Sequence, residues 1–341
     1  MRRFAGSHPT WMAAAATLLV TASHASAVLL YSSNVRNTAP PGSLTNAGGA
    51  WTPGGTNDPR RLLNSGWQWT GSFGTFSGIA IAPQYFITAK HAGASGPAIN
   101  VNGVNYPIDT TFNSPSTQFW KDDPNTDLRI FKIQGTFPSF APLYSEPAGS
   151  EVSRRLVAIG RGTPRGPEVR ANGELKGWQW APFDGVMSWG ENVVTGTFNQ
   201  TGFGQVMYFD FDRDGGPNEC ALSDHDSAGG VFIQSGGQWK LAGVNLAVDG
   251  PWHFDVAGAP GPQFDASIFD AGGLWVGSAN PQHINETMQD NPGSSYATMI
   301  SPNLAWINSV IGAGAEVPEP TGATMLLLGT TACLRRRRSM R

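Results

Sequence analysis

No long stretch of this chain sustains a helical period. Apolar residues come instead in short runs broken by turn formers, as in GIAIAPQYFITA (78–89), where two strand-like runs flank Pro83-Gln84. The 341 residues include 43 glycines and 25 prolines, so such breaks recur throughout and predict many short strands joined by turns. Charged residues are only 14% of the chain, against about 25% in an average globular domain. No internal repeat is visible, and the length suits one large all-β domain or two smaller ones.

Both ends read as addresses rather than fold. Residues 1–27 run from MRR through the apolar WMAAAATLLV to a small-residue close, Ala25-Ser26-Ala27, which is the plan of a secretory signal cut after Ala27. Residues 313–341 carry Val317-Pro318-Glu319-Pro320, an apolar run from Thr321 to Leu334, and four consecutive arginines. That run is shorter than the roughly 20 residues that span a bilayer, and its arginines would stay on the cytoplasmic side. The order of parts resembles the PEP-CTERM sorting signal of Gram-negative bacteria. The resemblance implies transient membrane contact through the tail, an exosortase-type processing enzyme as partner, and an exported product in the cell envelope or outside the cell.

Seven of the 22 basic and two of the 25 acidic residues lie in these ends, which leaves a body of net charge −8 and argues against nucleic acid as a partner. Cys333 belongs to the tail, so the body holds one cysteine, Cys220, and no internal disulfide. A lone cysteine is either a reactive thiol or, more commonly, a small buried apolar group.

Three stretches carry candidate chemistry. ALSDHDSAGGVFIQSGG (221–237) places Ser227 between an aspartate and small residues, which suits a turn as well as a nucleophile. A serine hydroxyl needs a base, usually an imidazole oriented by a carboxylate. His91 stands where YFITA ends, and Asp127 stands in a turn cluster that opens the strand LRIFKI. Neither G-x-S-x-G nor H-E-x-x-H occurs.

Together ITAKHAG, DLRIFKI and DSAGG, in the order His, Asp, Ser, resemble the motifs of chymotrypsin/trypsin-like serine peptidases. LVAIGRG, QWKLAGVNLAV and SYATMISPNLAWINSVIG extend the resemblance over about residues 70–312. It implies an all-β fold of two antiparallel β-barrels of trypsin-like type with a C-terminal helix, the first barrel and its N-terminal segment in 28–150 and the second with the helix in 151–312. It further implies a secreted serine endopeptidase acting on protein or peptide substrates, with His91, Asp127 and Ser227 as triad and the amides of His225 and Ser227 as oxyanion hole. A catalytically silent binding or matrix protein of the cell envelope is the alternative.

The pattern departs from the family at several points. His225 and Ala228 stand where glycines are usual, and histidine tolerates positive φ better than most residues. Counting back from Ser227 puts the specificity-pocket floor at Ala221, so small or apolar side chains are expected there. The resemblance also implies a newly cut N-terminus beside Asp226, yet the region before His91 reads NAGGAWTPGG, with no IVGG-like start. A pocket formed without zymogen cleavage is therefore expected, with another donor or cation meeting Asp226.

Asp210, Asp212 and Asp214 alternate ahead of Gly215 as in a calcium loop, but the twelfth position is Ala221 rather than Glu. A solvated acidic turn is the simpler reading, and no cofactor is expected. Residues 249–293 lack regular alternation and read as a substrate-flanking insertion or as surface elaboration.

Overall fold

A computed structural model describes residues 28–43 and 58–312; the expected signal peptide (1–27), the NAGGAWTPGG stretch and the expected sorting tail (313–341) lie outside them. The runs flanking Pro83-Gln84 pair as a hairpin, Phe76–Ala82 against Tyr85–Ala89, with Ile79 opposite Ile87. Thr70–Phe73 flanks the first strand and Leu128–Lys132 the second. Ala98–Val101 and Val104–Pro107 continue the sheet beyond Thr70–Phe73. The Asp109 amide then donates to the Lys132 carbonyl and the Gln134 amide to the Pro107 carbonyl, each at 2.8 Å. These bonds join the end of Val104–Pro107 to the end of Leu128–Lys132 and close the sheet into a barrel, while Trp120–Asp122 pairs along the rest of Leu128–Lys132 as the outermost strand.

Strand alternation sorts the side chains of this barrel into two sets. Phe73, Phe86 and Phe131 point inward and pack edge-on or stacked, with ring centroids 5.0–5.2 Å apart. Ile87 and Ile130, their chain neighbours, face the other way and join a cluster shared with the second half of the chain.

That half forms a second antiparallel barrel from Arg155–Gly160, Gly230–Ser235, Gln238–Val248, Ser294–Met299 and Gly204–Asp210. Its closing element is one bent strand. Ser188–Val193 pairs with Arg155–Gly160, and after Val194-Thr195 the run Gly196–Gln200 pairs with Gly204–Asp210. The ends of the sheet are thus two halves of the same segment. Leu156, Met207, Phe209, Val231, Ile233 and Met299 fill the interior.

Val157, Ile159, Phe232, Leu241 and Val244 meet Ile79, Ile87 and Ile130 between the barrels, and the Arg161 guanidinium ties the halves by donating to the carbonyls of Gly74 and Phe76 at 2.9 Å. The connecting chain changes sides between Ala141, whose amide donates to Ala80, and Tyr144, whose amide donates to Leu241. The helix Leu304–Ile311 closes the chain, with Ile307 fully buried in the shared cluster. Two antiparallel β-barrels and a C-terminal helix are what the sequence predicted. Among the described residues no helix is long and apolar enough to cross a membrane.

The stretch 249–293, which shows no alternation in sequence, contains an antiparallel sheet of Ala259–Phe264, Trp252–Val256, Leu274–Val276 and Gln282–His283. Trp252, Ala266, Ile268 and Leu274 give it a small core of its own with Val169. Its strand Ala266–Ile268 pairs with Glu174–Trp180 and so backs a wall of the site.

Candidate active site

Register brings the first two residues together. Ala89 pairs with Leu128, so His91 and Asp127 lie side by side just beyond the paired ends. The Lys90 amide donates to the Asp127 carbonyl at 2.6 Å, and the Lys90 ammonium clamps the carbonyls of Asp123 and Thr126 at 3.0 and 2.6 Å. Asp127 is 4% exposed, and its carboxylate accepts twice from His91: from the amide at 3.0 Å and from Nδ1 at 2.5 Å. A carboxylate only accepts, so Nδ1 carries the proton and Nε2 presents a lone pair. Ser227 Oγ lies 2.8 Å from that nitrogen, on the solvent-facing side. The three residues singled out in the sequence form one hydrogen-bonded chain.

Ser227 sits in a loop held from beneath. His225 and Ala228 adopt φ of 68° and 65°, a region open to histidine and costly for alanine. The Ala228 amide donates to the Asn245 carbonyl, and Asn245 Nδ2 donates to the carbonyls of Asp226 and Ile159, each at 3.0–3.1 Å. The Ser227 amide donates to no acceptor among the described residues, whereas the His225 amide donates to Asp224 Oδ1 at 2.9 Å.

Asp226 is 1% exposed and accepts from the amides of Gly162 and Ser223 at 2.8 Å and from the Ser223 hydroxyl at 3.1 Å. Its remaining donor is the backbone nitrogen of Val28, 3.2 Å from Oδ2. Burial pushes its carboxyl up to about 6, against the downward pull of these hydrogen bonds. The donor to Asp226 that the sequence left open is thus the first residue after the expected signal cut. Leu29 and Leu30 hold it there by pairing with Ala221 and Cys220.

This pairing relocates Ala221. It is buried beside Leu29, Phe211 and Phe269, behind the pocket rather than on its floor. The cavity beside Ser227, about 200 Å³, is walled instead by Trp180, Leu222, Ser223, Asp224, Leu246 and Val248. A larger depression of about 490 Å³ opens on the other side of His91, with Phe198, Phe203, Leu246 and Tyr296 around it.

Cys220 is buried and unpaired, and burial lifts its thiol far above the ordinary range, which removes it from thiolate chemistry. Asp210 accepts from the Ser294 hydroxyl at 2.6 Å, and the Asp212 amide donates to Glu219 at 3.1 Å. Among the described residues the acidic trio whose oxygens converge is Glu174, Asp270 and Glu286, and the buried Lys176 ammonium already lies 2.6 Å from the last two. His253, also missed in sequence as a structural residue, bridges the carbonyls of Gly261 and Gly277 at 2.8 and 2.9 Å.

Glu219 is 4% exposed, and burial, with Asp212 and Glu191 nearby, raises its carboxyl to about 8 from an ordinary 4.5. The folded chain therefore binds a proton that the unfolded chain releases between those values, so Glu219 withdraws stability as pH rises through this window. Thermal unfolding is expected to move to lower temperature from pH 5 to pH 8. Glu219→Gln should flatten that slope, and an unchanged slope in the variant would refute the assignment.

No protein-family model matches this sequence, and no curated protein does. Among solved structures the chain is similar to mouse neuropsin, titled a serine protease expressed in the limbic system of mouse brain, at 11% identity and a TM-score of 0.43 over 74% of this chain and 97% of that one.

Proposed function

We propose that this protein is an exported serine endopeptidase. The observation that carries the reading is the Asp127–His91–Ser227 hydrogen-bond chain, ending on a solvent-facing hydroxyl. Ser227 Oγ attacks the scissile carbonyl while His91 Nε2 takes its proton, and Asp127 steadies the imidazolium that forms. The amides of Ser227 and His225 receive the oxyanion. His91 then protonates the leaving amine, and water, activated by the same nitrogen, releases the acyl group. Peptides and proteins are the substrates.

Two further observations support export as part of the function. The Ala25-Ser26-Ala27 site precedes Val28, and a cut there would leave a free α-ammonium 3.2 Å from buried Asp226. Val28 has φ 42°, an unfavourable value for a β-branched residue, and cutting the bond before it removes that dihedral. The tail then directs the chain to a Gram-negative cell envelope: transient membrane engagement, cleavage near Pro318-Glu319-Pro320 by an exosortase-type enzyme, and release or transfer outward.

One observation favours a silent binding protein instead, namely the Asp224 carboxylate on the His225 amide. A fluorophosphonate probe separates the two readings. Residues 28–315 are expected to label, and Ser227→Ala to abolish labelling. Folded protein that labels neither as wild type nor as Asp224→Asn, which removes the carboxylate from the His225 amide, would leave the binding protein standing.

A further inference from the structure

Asp224 makes an unusual pair of contacts with its own neighbour. Oδ1 takes the His225 amide at 2.9 Å, and Oδ2 lies 3.1 Å from His225 Nδ1. The imidazole is held between Phe76 and Phe183, with centroids 5.5 and 4.3 Å away and planes tilted by only 15° and 21°. The Asp224 backbone is fixed by the Thr163 amide at 2.8 Å. What remains free to move is the carboxylate, whose side chain is 59% exposed. No lysine or arginine lies within 4.0 Å of it among the described residues. It also borders the cavity of about 200 Å³ that holds Ser227.

An oxyanion formed at Ser227 cannot use the His225 amide while a carboxylate oxygen occupies it, and a second negative charge at the same donor is repelled. An exposed carboxylate changes partners at little cost, because its ion pairs are worth about 1 kcal/mol or less. A cation in the adjoining cavity is therefore well placed to draw it off. The amide itself would stay in position, since the stacked ring fixes the residue that carries it.

We propose that Asp224 is a specificity residue that also gates the oxyanion site: a Lys or Arg side chain on the acyl side of the scissile bond enters the cavity, pairs with the carboxylate and thereby frees the His225 amide. Substrates of this class open the site they react in, while neutral ones meet it closed. This rests on the peptidase reading, and it replaces the small or apolar preference drawn from Ala221, which the fold removes from the cavity wall.

Matched peptides carrying lysine or the uncharged norleucine before the scissile bond test it in wild type, Asp224→Asn and Asp224→Ala. Wild type is expected to favour lysine by about tenfold or more in kcat/KM, the worth of one hydrogen bond to a charged group. Both variants should lose that preference by cleaving the norleucine peptide several-fold faster. They should also label faster with a small neutral fluorophosphonate. Labelling by the variants but not by wild type would support the gate most directly. A preference that survives in the variants, or a parallel fall in both rates, overturns the gate and leaves the peptidase standing. Folded protein that labels in no form overturns both.

Discussion

His91→Ala is expected to lower kcat by about ten-thousand-fold or more with KM nearly unchanged, because the imidazole acts on the transition state and scarcely touches bound substrate. The geometry sets this size. Nε2 is 2.8 Å from Ser227 Oγ, and no other side chain is within hydrogen-bond distance of that hydroxyl among the described residues, so no neighbour can take over the proton. The imidazole is partly exposed at the end of a strand, Asp127 keeps the His91 amide, and the Lys90 clamp on the carbonyls of Asp123 and Thr126 remains, so the variant should fold. Steady-state hydrolysis of a peptide amide measures the loss. A residual rate within tenfold of wild type would remove His91 from the mechanism.

The second large effect belongs to the N-terminus. Protein beginning at Val28 is expected to exceed, by about a hundredfold or more in kcat/KM, the same chain with Val28 acetylated or preceded by extra residues. Removing one partner of a buried ion pair costs about 3–5 kcal/mol, and here the cost falls on the loop that holds Ser227. The sign with pH follows from Asp226. With an acylated Val28 its carboxyl sits at about 6, above its ordinary 3.8, so its ionisation weakens the fold as pH rises through that value. A free ammonium reverses this by pairing with the ionised form. The stability gap between the two chains should therefore widen above pH 6, and unfolding curves at pH 5 and pH 8 measure it. Equal activity with and without the extension would sink the assignment.

Local rules made much of this molecule legible. The hairpin around Pro83-Gln84 is written in its apolar runs, and the strand LRIFKI fixes Asp127 at its mouth. Three weak motifs in one order pointed to a site whose members lie 36 and 136 residues apart in sequence. What stayed hidden depends on distant partners. Val28 meets Asp226 across 198 residues, and nothing near either residue announces the other. Ala221 was misplaced because a count along the chain cannot show that Leu29 pairs with it. The sheet within 249–293 escaped because Ala259–Phe264 lies open to solvent on both faces, so burial imposes no alternation on it. The Asp224 contact is local, yet a loop aspartate can accept from several nearby donors, and the sequence does not say that it takes the His225 amide.

Neither barrel needs a disulfide to close, and the body's one cysteine is buried among apolar side chains. Such a chain can fold in a reducing cytoplasm as readily as outside it, which for a peptidase is a hazard to the cell that makes it. For an exported peptidase built this way the safeguard is positional. Before the proposed cut, the nitrogen facing Asp226 would be a neutral amide tied to the proposed leader. On the proposed reading, the cut that completes passage through the membrane would also give Asp226 its cation, and proteolysis would begin on the far side from the cell's own proteins.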